Sequence, residues 1–140
     1  MHVPEHVVRL NAAWEALDPD DPSSRRFRVS LPVDWRSLSW PGGNLPRRLR
    51  LSRRFGRPAG LEPNSPAARA RLLIDGAAAV VAVEFNDRPV PWDSAAPGRL
   101  VVELPVLEGR NLATIEIAVA EAPGAWGGVT LVFGGEVGSG

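Results

Sequence analysis

Apolar and polar side chains alternate along much of this chain with a period of two, the pattern of half-buried β-strands. Arg26–Leu31 places Phe27, Val29 and Leu31 on one face and Arg28 and Ser30 on the other, and Pro32 ends the run. Arg47–Phe55 repeats the pattern, with Leu49, Leu51 and Phe55 inward and Arg48, Arg50, Ser52 and Arg54 outward. Ala70, Leu72 and Ile74 predict the next strand, stopped by Asp75-Gly76. Further strands are predicted over Ala79–Phe85 (Val81, Val83 and Phe85 inward), Leu100–Leu104, Leu112–Val119 and Val129–Phe133. Near the N-terminus, Val7–Leu17 alternates with Val8, Leu10, Ala12 and Trp14 on one side. It predicts a strand with Trp14 inward, although Ala-Ala-Trp-Glu-Ala-Leu also suits a short helix.

Turn chemistry separates these runs. DPDDPSS is a loop by its Pro and Asp content, residues 32–46 are irregular, and RPAGLEPNSPA is a long connection. Asn86-Asp87 is a pair that tolerates positive φ, and Glu108-Gly109-Arg110-Asn111 turns the chain into the Leu112 strand. Pro105 stops the ladder of the strand before it. APGAWGG leads to the last strand, and 134–140 read as a loose tail. Eight or nine short strands and no convincing amphipathic helix predict one all-β domain spanning 1–140, an antiparallel sandwich or barrel.

Composition narrows the chemistry. The 140 residues contain no cysteine, which excludes disulfides, thiol nucleophiles and thiolate metal sites. No basic segment followed by an apolar run marks a signal peptide, and no apolar stretch nears the roughly 20 residues of a membrane span. The cytoplasm is therefore the default expectation, with no membrane partner. Net charge is zero but uneven. Arg25, Arg26, Arg28, Arg36, Arg47, Arg48, Arg50, Arg53, Arg54, Arg57, Arg69 and Arg71 fall in 25–71 against Asp34 and Glu62 alone. Every basic residue of the Lys/Arg type is Arg, which genomic base composition explains most simply.

Several of these runs, in this order, resemble the N-terminal sugar-binding jelly roll of glycoside hydrolase family 2, within the wider galactose-binding-like sandwiches. Leu10–Trp14 resembles its opening strand, and VSLPVDW (29–35) resembles its strand with a Pro-x-x-Trp corner. LSRRFGRP (51–58) is similar to the strand carrying an Arg, a Phe and a Pro. RLLIDGAAAVVAVEFND resembles the paired strands before an Asn-Gly turn, LEGRN (107–111) the Gly-x-Asn turn, and WGGVTLVF the closing strand. The resemblance implies a jelly-roll sandwich of two antiparallel sheets. Asp87 stands where the family usually has Gly, a change the turn tolerates. In the family the acid and nucleophile carboxylates belong to a barrel domain that follows the jelly roll, and these 140 residues are not expected to include one. A fold and a carbohydrate context are therefore expected, not hydrolysis.

The loop Pro91-Trp92-Asp93-Ser94 is the leading candidate site. The resemblance implies that Asp93 matches a position that can offer a carboxylate to a sugar hydroxyl. An indole face stacks on a pyranose while a neighbouring carboxylate accepts its hydroxyls. The competing reading makes Trp92 a plug at one end of the sandwich and Asp93 a turn cap. Trp40 and Trp126, each beside glycines, are further ligand candidates, with packing as the alternative. Trp14 and Trp35 are expected in the core.

Arg26 and Arg28 on one strand with Arg48, Arg50 and Arg54 on another would form a positive face if the two strands are neighbours. Such a face suits sulfated or uronic-acid glycans or an acidic protein partner, while a solvated face paired with acids is the alternative. Nucleic acid is not favoured, because no recognised module or aromatic stripe accompanies the charge. Asp18, Asp20 and Asp21 form an oxygen-rich loop that could contribute to a structural calcium site, although the spacing completes none. No cofactor motif, catalytic triad or phosphate loop is present. The expectation is a non-catalytic carbohydrate-binding module, alone or accessory to a glycosidase. The alternative is a structural or protein-interaction sandwich that uses the arginine face.

Overall fold

The computed structural model describes residues 6–21, 23, 25–38, 40, 45–57, 62, 69–122 and 124–134. Its strands are β1 (His6–Arg9), β2 (Trp14–Leu17), β3 (Phe27–Val29), β4 (Val33–Asp34), β5 (Arg48–Gly56), β6 (Ala70–Asp75) and β7 (Val80–Phe85). They continue with β8 (Arg88–Pro89), β9 (Asp93–Ala96), β10 (Arg99–Glu103), β11 (Arg110–Ala118), β12 (Ala125–Trp126) and β13 (Val129–Phe133). One sheet runs β1-β13-β6-β10-β9, the other β3-β2-β5-β11-β7-β8, and β12-β4 is a separate ribbon. The recorded strand pairings are antiparallel. The fold is an all-β sandwich of the jelly-roll type. Among the described residues no helix is long and apolar enough to cross a membrane.

The inward rows are those the alternation predicts. From the first sheet come Leu72 and Ile74, Leu100 and Val102, and Val129, Leu131 and Phe133; from the second come Leu49 and Leu51, Ile115 and Ile117, and Val83 and Phe85. Burying each such side chain stabilises the fold by roughly 1.5–3 kcal/mol. Trp14 and Trp35 are buried as expected.

Two runs depart from the simple pattern. Val7–Leu17 is not one strand. It breaks at Leu10–Ala13, where Ala13 has φ 66°, and its halves join different sheets. Leu10 and Trp14 are buried, but Ala12, in the crossover, is exposed. In β7 the register against β11 shifts between Glu116 and Ile117, so Ile117 pairs with Val80. Val81 is left out of the pairing and is 46% exposed instead of inward. A bulge of this kind reverses the phase of the residues beyond it.

The Asn-Asp turn needs positive φ at both central residues, and Asn86 (51°) and Asp87 (67°) supply it. Asn86 also ties this turn to the next one. Its Oδ1 accepts from Leu112 N at 2.7 Å, and its Nδ2 donates to Asn111 Oδ1 at 3.3 Å. Buried Asn111 accepts from Glu108 N at 2.9 Å and donates to the Glu108 and Phe55 carbonyls at 3.0 and 3.4 Å. At the C-terminal end Gly134 N donates to the Arg69 carbonyl at 2.8 Å, so it is tied to the fold. The rest of the expected tail, 135–140, lies outside the described residues, as does most of the RPAGLEPNSPA connection.

Candidate functional site

After β8 the chain crosses from the edge of one sheet to the edge of the other. Val90 N donates to the Val83 carbonyl at 3.0 Å, and the Val90 side chain packs on the core. Pro91 and Trp92 complete the crossing, and β9 pairs with β10 from Asp93 opposite Val101. Asp93 and Ser94 therefore start an edge strand; they are not part of an irregular loop. Residues 91–99 are all exposed. Trp92 is 38% exposed, a large apolar surface held at the side of the sandwich by the Val90 anchor. Asp93 has no ion-pair or hydrogen-bond partner among the described residues. An indole with open surface next to an unengaged carboxylate offers one stacking plane and one acceptor pair to a hydroxylated ligand.

Trp40 and Trp126 lie elsewhere. They flank Trp35 in a row, with ring centroids 6.1 and 6.4 Å from it, and Phe27 meets Trp40 edge-on at 4.9 Å. Trp126 is 4% exposed, and its Nε1 donates to the Gly76 carbonyl at 3.0 Å. Trp40 is half-buried and donates to the Trp35 carbonyl at 2.9 Å. The candidacy of Trp126 as a ligand contact is therefore corrected: its ring is spent on packing. The row closes one part of the core and is not a continuation of the Trp92–Asp93 surface. The Trp35 Nε1 is buried and has no hydrogen-bond partner among the described residues.

The arginines expected to form one positive face are separated by acids. β3 and β5 are not neighbours, because β2 lies between them and places Glu15 opposite Arg28 and Ser52. Arg26 is 3.5 Å from Glu15, and Arg48 and Arg50 reach Glu116 of β11 at 3.2 and 3.3 Å. Arg48 also pairs with Asp20, and this hydrogen bond holds the Asp20 carboxyl below its ordinary range. Arg28 and Arg54 have no acidic partner among the described residues. The result is a face of interleaved charge.

The same contacts account for the aspartate loop. Asp20 faces Arg48, Asp21 accepts from Ser23 N and Oγ at 2.9 and 2.7 Å, and Asp18 Oδ1 accepts from Asp20 N at 2.9 Å. The Ser23 hydrogen bonds hold the Asp21 carboxyl below its ordinary range. Among the described residues no three metal-ligating side chains converge, so Asp18, Asp20 and Asp21 do not form the calcium cluster considered from sequence.

Sequence reasoning passed over Arg53. It occupies the inward phase of β5 with Leu49, Leu51 and Phe55, opposite Ala113 of β11. That phase was the available signal: a charged residue in an apolar row.

No family model matches the chain, and no curated protein sequence matches it significantly. Solved structures do match. A GH2 β-galacturonidase from Eisenbergiella tayi bound to galacturonate superposes with a TM-score of 0.67 at 15% identity, over 95% of this chain and 25% of that one. A GH2 β-galacturonidase from Eisenbergiella tayi bound to glycerol gives a TM-score of 0.66 at 16% identity, again over 95% and 25%. The FMN-binding β-glucuronidase from Facaelibacterium prausnitzii L2-6 gives 0.64 at 19% identity, over 91% and 22%. The fold is that of a jelly-roll domain of GH2 glycosidases. The chain spans about a quarter of the length of those enzymes.

Proposed function

We propose that this chain is a non-catalytic carbohydrate-binding or accessory domain that acts in the context of a glycosidase. The observation that carries the reading is the superposition of 95% of the chain on a quarter of a β-galacturonidase. Trp92 and Asp93 are the proposed contacts, the indole stacking on a sugar ring and the carboxylate accepting its hydroxyls. Glycoside hydrolysis uses two carboxyl groups across the scissile bond, about 5–9.5 Å apart. The Trp92–Asp93 surface contributes one, which favours recognition over bond cleavage. An acidic contact also favours neutral hydroxylated units over uronate carboxylates at this position.

Tryptophan-fluorescence titration with neutral and uronic oligosaccharides tests the reading. The expected outcome is a saturable response to neutral oligosaccharide, lost in Trp92→Ala and weakened roughly tenfold in Asp93→Asn, the scale of a hydrogen bond to a charged group. A flat response to both sugar classes in the unaltered chain sinks it.

A further inference from the structure

Among the described residues, a cleft between two sheet edges combines apolar walls with an arginine that has no ion-pair partner. β2 pairs with β5 over Arg50–Ser52, so among the described residues Arg53–Gly56 have no β-strand neighbour on that flank. β1 is the edge of the facing sheet. Between these two edges lies a cleft of about 470 Å³ lined by His6, Val8, Leu10, Leu131 and Phe133 from one side and Arg53, Arg54, Phe55 and Gly56 from the other. That volume falls within the usual range of small-molecule sites. Among the described residues no acidic side chain lines it.

Arg53 supplies the chemistry. It sits half-buried in the inward row of β5, where an aliphatic side chain would continue the core. Its Nε donates to the Ala12 carbonyl at 2.7 Å and its Nη1 to the Arg54 carbonyl at 3.2 Å. The Ala12 bond ties the guanidinium to the crossover between β1 and β2; both acceptors are neutral, and among the described residues no carboxylate forms an ion pair with Arg53, although Glu15 lines the adjoining cavity on its other side. Arg48 and Arg50, on the same strand, are both paired with carboxylates. A guanidinium has five N–H donors, so capacity remains for a carboxylate, and a partly desolvated cation gains most from one.

We propose that this cleft is a binding site for an amphipathic organic anion, a carboxylate on an aliphatic or aromatic body. The apolar body would lie against Val8, Leu10, Phe55, Leu131 and Phe133, and the carboxylate on Arg53. The site is separate from the Trp92–Asp93 surface, so either can fail without the other.

Octanoate is a suitable probe, followed by amide chemical shifts of the isotope-labelled chain and compared with hexanoate and octan-1-ol. Octanoate is expected to shift Val8, Phe55 and Leu131 saturably. Hexanoate should bind about fifteenfold more weakly, since it lacks two methylenes and each buried one contributes about fourfold in affinity. Octan-1-ol, lacking the charge, should bind at least about fivefold more weakly than octanoate, and Arg53→Gln should lower octanoate affinity by about tenfold, both on the scale of a charge-assisted hydrogen bond. Because Arg53 also holds the Ala12 carbonyl, Val8→Trp provides a second variant that fills the mouth of the cleft and leaves the guanidinium in place; it should abolish octanoate binding. Octan-1-ol binding as tightly as octanoate, unaltered octanoate affinity in Val8→Trp, or shifts confined to residues 91–96 would each overturn the proposal.

Discussion

Trp126 and Trp92 look alike in the sequence, each a tryptophan among turn-forming residues, and the fold uses them in opposite ways. Trp126 is covered, meets Trp35 ring to ring at 6.4 Å and donates to the Gly76 carbonyl. Trp92 keeps 38% of its surface in solvent. The contrast teaches that glycine beside a tryptophan does not announce a ligand. The adjacent Gly127 and Gly128 face Leu31 and Asp75, and the glycine that makes room for the Trp126 indole is Gly76, 50 residues away in the chain. Gly76 has φ 81°, and a Cβ built there would collide with the Trp126 indole.

The strongest test of the contrast is truncation of each ring. Trp126→Ala should destabilise the chain by about 3–5 kcal/mol in urea unfolding, the scale of a large buried aromatic. A loss below about 1 kcal/mol would remove Trp126 from the core. Next comes Gly76→Ala, expected to cost about 2–4 kcal/mol by combining left-handed backbone strain with overpacking. If Trp126→Ala is already present, much of the overpacking part should vanish, so the two losses should be less than additive. Within the aromatic row, Trp126→Phe should cost about 1 kcal/mol more than Trp35→Phe, because only Trp126 gives up an indole hydrogen bond. Equal losses would mean that the Trp126 bond adds nothing. Smallest of all, Trp92→Ala should change stability by no more than about 0.5 kcal/mol, as for an exposed position, while removing the sugar response. A large stability loss there would make Trp92 a packing residue and erase the contrast.

Much of the fold was legible from alternation. β5, β6, β10, β11 and β13 fall where apolar residues recur every second position, and most of the residues predicted inward, such as Leu51, Leu72, Val83 and Phe85, are buried. The Asn86-Asp87 turn was legible because both residue types tolerate the left-handed region. The Val7–Leu17 break was not, because Ala13 takes φ 66° only where two sheets must be bridged, and alanine carries no mark of it. Nor was the Val81 bulge, which exists as a mismatch of register against β11. The arginine face read as positive because the sequence lists Arg48 and Arg50 without their partners. Glu116 is 68 residues from Arg48 in the chain and reaches it only through the β5–β11 pairing.

The amino-acid order by itself determined which side chains turn inward along each regular strand and where the chain could reverse. Both follow from local sterics, namely the two-residue pleat and the φ angles each residue tolerates. Tertiary structure decided which sheet each run joined, which tryptophan was covered and which arginines met acids. It also left Arg53 at the cleft between two sheet edges, because β2 ends its pairing before that residue. Those outcomes depend on register between distant strands, and no short stretch of sequence contains both partners.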